Sequence, residues 1–132
     1  MTDIVVVAHS GIGEAMQTVA EIILDRAVEV TVLPVAADDD PEAALARLLG
    51  AFERWDAAEP PLVITDLPGA TPHNIAVAAA ARAFPGAPVL TGLNLPMLLR
   101  ALNHCHRAAA ELAELAEHGA HAATFIGERD ED

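Results

Sequence analysis

Ile4-Val5-Val6-Val7-Ala8-His9-Ser10-Gly11-Ile12-Gly13 is the stretch that decides the fold. Its first four residues are all β-branched, and nothing polar interrupts the run before His9. Such side chains favour an extended backbone, and a run without polar alternation suits a strand covered on both faces, as in a parallel sheet. The small residues after Ala8 make a tight turn. Beyond it Ile12, Met16, Val19, Ala20 and Ile23 recur at helical spacing, with Glu14, Gln17, Thr18 and Glu21 on the other side. The unit reads strand, turn, helix, with the isoleucine-rich stripe as the predicted buried face.

The same unit returns along the chain. Val28 to Leu33 reads as a second strand bounded by Pro34, and Asp40-Pro41 as a cap and first-turn proline. The helix they open buries Leu45, Leu48, Phe52 and Trp55, with Leu49 beside them. Leu62 to Thr65 is a third short strand. In the loop Asp66 to Pro72, Thr71-Pro72 reads as another cap and first-turn proline, opening an alanine-rich helix of Asn74 to Phe84 that stops at Pro85-Gly86. Pro88 to Thr91 is the fourth strand. Helices follow at about Met97 to Asn103 and about Ala108 to His118, the latter ended by Gly119. His121 to Ile126 suggests a final strand, and residues 128–132 an acidic, frayed end. Strands alternating with helices predict a single doubly wound α/β domain over residues 1–127. Its sheet has four mainly parallel strands in the order 2-1-3-4, with helices on both faces and a possible extra strand at the C-terminus.

Composition narrows the function. The chain has 132 residues, enough for one domain with a real core, and is 53% hydrophobic and 20% charged, which excludes disorder. Its apolar runs are too short to span a membrane, and the N-terminus lacks the basic region of a signal peptide, so a cytoplasmic location is expected. Net charge is −13 and every basic residue is arginine. That balance argues against nucleic acid and anionic lipid, which need concentrated positive charge, and suits a partner with a basic docking face. Cys105 is the only cysteine, so neither an internal disulfide nor a cysteine-based zinc site can form.

In an open parallel sheet, ligands bind beyond the carboxyl ends of the strands, where strand order reverses. With the order 2-1-3, that crevice lies between strands one and three, and the residues just past those strands are His9 and Asp66. Backbone N–H groups around Gly11, Ile12 and Gly13 open a helix and could meet an anion there, and the two glycines would let it approach closely. A purely structural His–Asp hydrogen bond is the plain alternative. Other chemistries fail on the residues. A nucleotide P-loop needs a lysine, and the dinucleotide fingerprint needs a third glycine where Met16 or Gln17 stands. A receiver domain needs a lysine and an acidic pair after strand one. A hydrolase elbow needs Gly-x-Ser-x-Gly, not Ala8-His9-Ser10-Gly11-Ile12. His9, Asp66 and His73 would be the candidate set for a metal. His104, His106, His118 and His121 read as surface or helix-end residues.

Three loops together resemble the enzyme IIA domains of the mannose class of the bacterial phosphoenolpyruvate-dependent sugar phosphotransferase system. They are Val6-Val7-Ala8-His9-Ser10-Gly11, Thr65-Asp66-Leu67-Pro68-Gly69-Ala70-Thr71-Pro72-His73-Asn74, and Thr91-Gly92-Leu93-Asn94-Leu95-Pro96-Met97. The resemblance implies a phosphohistidine carrier that accepts a phosphoryl group from HPr and passes it to a separate IIB protein, in sugar uptake or its regulation. Carried over by position, His9 is phosphorylated through Nε2 and Asp66 holds its Nδ1. Ser10, Gly11, Ile12, Gly13 and Thr71 would hold the phosphoryl oxygens. Gly69, Pro72, Asn74, Asn94, Pro96 and Met97 would shape the loops or a docking face. No metal and no soluble cofactor is implied. A homodimer is, with the segment of about 121–126 crossing to the neighbour. His73 stands at a variable motif position. The alternative function is a regulatory or anion-sensing domain that uses the same crevice without carrying phosphate.

Overall fold

A computed structural model of the chain describes residues 1–128. The elements alternate: β1 (Ile4–His9), α1 (Ile12–Leu24), β2 (Val30–Val35), α2 (Pro41–Phe52), β3 (Leu62–Thr65), α3 (Thr71–Ala83), β4 (Val89–Thr91), α4 (Leu95–Asn103) and α5 (Ala109–Ala122). The strands form one parallel sheet in the order β2-β1-β3-β4, as predicted. Ile4 lies opposite Val30 on one side and Leu62 on the other, so β1 is fully flanked.

Alternation along the central strands builds two cores. Ile4, Val6, Ala8, Leu62 and Ile64 face α1, α4 and α5, where Leu98, Ala101, Leu112 and Ala116 are buried. Val5, Val7 and Val63 face α2 and α3, against Leu48, Phe52, Ala76, Ala79 and Phe84. Burial on both faces is why β1 and β3 read as unbroken apolar runs. No helix among the described residues is long and apolar enough to cross a membrane.

Four sequence expectations are corrected. Strand β2 runs from Val30 to Val35 rather than Val28 to Leu33, and contains Pro34. The proline is tolerated because β2 is an edge strand, where a missing N–H need not break a ladder. Helix α1 is turned partly away from its predicted face: Ala20 is buried and Met16 packs inward as expected, joined by Gly13, whereas Ile12, Val19 and Ile23 are exposed. Gly119 does not end α5, which continues to Ala122. A Cβ at Gly119 would lie 3.0 Å from Arg100 Cγ, so this glycine serves the approach of α4 to α5. Finally, His121 and Ala122 complete α5, and residues 123–127 form no strand within the described chain. Thr124 Oγ1 instead donates to Ala120 O at 3.0 Å. Of the expected acidic end, 129–132 lie outside the described residues.

Candidate functional site

β1 ends in His9 and β3 is followed at once by Asp66, so the two adjacent strands deliver both side chains to the carboxyl edge of the sheet. His9 Nδ1 lies 2.6 Å from Asp66 Oδ2, and the His9 backbone N–H donates to the same oxygen at 3.0 Å. Asp66 Oδ1 accepts from Leu67 N at 3.0 Å. The Asp66 side chain is 7% exposed and the His9 side chain 41%. Burial pushes the Asp66 carboxyl upward, but the His9 backbone N–H, the His9 ring and its charge, and Asp66's own backbone more than reverse this, leaving its pKa below the ordinary value. An ionised carboxylate can only accept, so Nδ1 carries the proton, and in the neutral ring the lone pair is then on Nε2. The arrangement offers a half-exposed imidazole held through Nδ1, with Nε2 turned away from Asp66 as the nitrogen that can act as a nucleophile.

The turn after His9 differs in part from expectation. Ser10 N–H is spent on Val35 O at 3.1 Å, tying the turn to the edge strand. Gly11 sits at φ 98° as the cap of α1, a left-handed conformation that favours glycine, and its N–H meets Glu14 Oε2 at 3.2 Å. Ile12 and Gly13 therefore keep the first-turn N–H groups that have no acceptor inside the helix. Gly13 also serves packing: a Cβ on it would stand 2.7 Å from Val32 Cγ1 and 3.3 Å from Val6 Cγ1. It lets α1 lie directly on the sheet.

On the second loop, Ala70 rather than Thr71 caps α3, with Thr71 and Pro72 as its first two residues. The Thr71 side chain is exposed at the helix start instead of bonding into it. Gly69 adopts φ 79°, and Asn74 Nδ2 donates to Gly69 O at 3.1 Å, so Gly69 and Asn74 shape this loop together. On the third loop Asn94 caps α4, its Oδ1 accepting from Met97 N at 2.9 Å, with Pro96 in the first turn. Pro72 and Met97 are buried, which assigns them to packing and not to a docking face. Leu93 N donates to Thr65 O, fixing the third loop against the second.

His73 does not join His9 and Asp66. Its Nδ1 lies 2.8 Å from Thr65 Oγ1, which donates to Thr91 Oγ1 at 2.8 Å. Thr65 is fully buried and pairs with Thr91 across β3 and β4. This relay under the rim escaped the sequence reading. Its signal was the threonine that ends each of the two strands, meaningful only once their register is known.

Known proteins bear on this site. Solved structures with the same fold include the mannose/sorbose specific IIA subunit of the phosphotransferase system from Enterococcus faecalis, with TM-score 0.84 and 24% identity over 98% of this chain and 97% of that one. The phosphotransferase system component EIIA from Streptococcus agalactiae gives TM-score 0.82 and 24% identity, over 95% and 96%. A sigma-54 interaction domain protein from Enterococcus faecalis matches with TM-score 0.74 at 11% identity, over 92% and 91%. At these identities the likenesses show the fold alone. No curated protein matches the chain. The family model described as PTS system fructose IIA component matches residues 3–122. The chain thus belongs to this EIIA-man family, and is a IIA component of the sugar phosphotransferase system.

Proposed function

We propose that the chain is a phosphohistidine carrier, taking a phosphoryl group from phosphorylated HPr onto His9 Nε2 and passing it to a IIB protein in the cytoplasm. The observation that carries this reading is the 2.6 Å contact between His9 Nδ1 and the buried Asp66 carboxylate, with the ring half open to solvent. The Nε2 lone pair forms the new N–P bond as the bond from phosphorus to the donor breaks, and that bond's electron pair leaves with the donor. The proton stays on Nδ1. The ring gains positive charge, which Asp66 offsets. Phosphoryl transfer asks mainly for positioning and charge stabilisation. The Ile12 and Gly13 N–H groups and the Thr71 hydroxyl are the donors we assign to the phosphoryl oxygens, and no metal or soluble cofactor enters the scheme. We further propose a homodimer in which residues 123–127 extend the open edge of a partner's β4.

The test is incubation with phosphoenolpyruvate, enzyme I and HPr, read by intact mass. One phosphoryl group, stable in base and labile in acid, is expected on the wild type and none on His9→Ala. Full labelling of His9→Ala would refute the assignment.

A further inference from the structure

Of the five residues that the sequence marked as the buried face of α1, Ile12, Val19 and Ile23 lie outside. Ile12, Val19, Ile22 and Ile23 are exposed, the last two at 72% and 52%, and with Ala15 they follow the three- and four-residue spacing of one helix face. The helix satisfies the core through Gly13, Met16, Ala20 and Leu24 instead. It therefore carries two apolar faces, of which the larger side chains form the outer one. Glu14, Glu21 and Asp25 flank that outer stripe on one side. At its upper end Ile12 stands three residues from His9, and exposed Leu67 directly follows Asp66. The apolar surface thus begins at the catalytic rim and runs down the helix. A contiguous exposed patch of this kind marks an interaction site.

Two observations select the occupant. The stripe is one helix wide, far short of the roughly 20–30 residues a side that a stable complex needs, so it fits the centre of a transient contact. It is flanked by carboxylates on a chain of net charge −13, so a second copy would bring like charges together. We infer that the outer face of α1 docks the protein that delivers the phosphoryl group, through a contacting surface with an apolar centre and a basic rim. This rests on the carrier reading, because only a partner that reaches His9 must also cover Ile12 and Leu67.

The test compares wild type, Ile22→Glu/Ile23→Glu and the control Val77→Glu, an exposed site on α3 in the opposite helix layer. Because both stripe residues are exposed, the double variant should keep wild-type circular dichroism and thermal midpoint. The rate of phosphoryl uptake is measured against phospho-HPr concentration. KM should rise about tenfold or more in the double variant with kcat within about twofold, and neither should move in the control. An unchanged KM overturns the proposal, as does an equal rise in Val77→Glu. A change from dimer to monomer by light scattering with KM unaltered overturns it in favour of self-association. Binding of unphosphorylated HPr, followed by amide shift perturbation, separates this inference from the carrier reading. If His9 is never labelled yet HPr still perturbs α1 in the wild type and not in the double variant, the docking face stands and the carrier reading falls. If HPr perturbs other surfaces only, the docking proposal falls whatever the labelling shows.

Discussion

Asp66 receives three N–H groups, two on one oxygen from His9 and one on the other from Leu67. Replacing it with asparagine preserves size but puts an amide where only an acceptor fits, and removes the charge that fixes the Nδ1–H tautomer. Phosphoryl uptake by Asp66→Asn should fall by about 10² to 10⁴, the span for losing an assisting acid–base partner; rapid-quench labelling checks it, and an unchanged rate would reduce Asp66 to scaffolding. The same residue sets a pH signature. Its folded pKa lies below the ordinary 3.8 because the hydrogen bonds and charge from His9 outweigh burial. A depressed carboxyl contributes stability that is complete above the unfolded value and lost as pH falls through the folded one. The stability difference between wild type and Asp66→Asn should therefore hold constant above about pH 5 and shrink below about pH 4. Urea titrations across that range measure it, and a difference that grows in acid would contradict the sign. This pair was legible in the sequence, since His9 closes one buried apolar run and Asp66 directly follows another. The Thr65–His73–Thr91 relay was not, because it depends on which residues of β3 and β4 stand opposite one another.

Helix α1 shows where pattern reading stops. That a helix follows β1 was plain from its periodicity; which face it buries was not. Pattern reading gives the core to the largest apolar residues, yet here the closest approach is made where a side chain is missing. Gly13 lies over Val32 and Val6, and Ala20 is fully buried further along. Gly119 does the same for α5 against Arg100, so a glycine read as a helix end is a packing site within the helix. Gly13→Ala should destabilise the fold by about 1–3 kcal/mol, the usual cost of overpacking, although alanine is the better helix former. Gly50→Ala is the matched control. It lies inside α2, where an added Cβ would meet nothing within 4 Å, and should stabilise by about 0.5–1 kcal/mol. Denaturant midpoints of the two variants should move in opposite directions; a shared gain would mean that α1 shifts freely on the sheet.

Across the whole molecule, the two edges of the sheet mix charge differently. Each helix that follows a strand returns to the amino edge, so Arg26 after α1, Arg54 after α2, Arg82 in the last turn of α3 and Arg107 before α5 stand there, interleaved with carboxylates such as Asp25, Glu53, Asp56 and Glu111. At the carboxyl edge Arg47 is committed to Asp39 at 3.1 Å, while Glu14, Asp38, Asp40 and Glu42 lie on the turns and first helical residues around the His9 rim. An acidic rim on a strongly acidic chain repels a free anion and attracts a protein that brings its own cations, which favours delivery of phosphate by a basic partner over capture from solution. Attraction of this kind acts on encounter and is screened within about 10 Å at 0.1 M salt. Phosphoryl uptake measured well below saturation should therefore slow by about tenfold or more between low and high salt. The saturated rate, set by positioning at His9 and Asp66, should stay nearly constant. A salt-independent uptake rate below saturation would show that the rim's charge has no part in recognition, and would leave the apolar face of α1 as the sole determinant of docking.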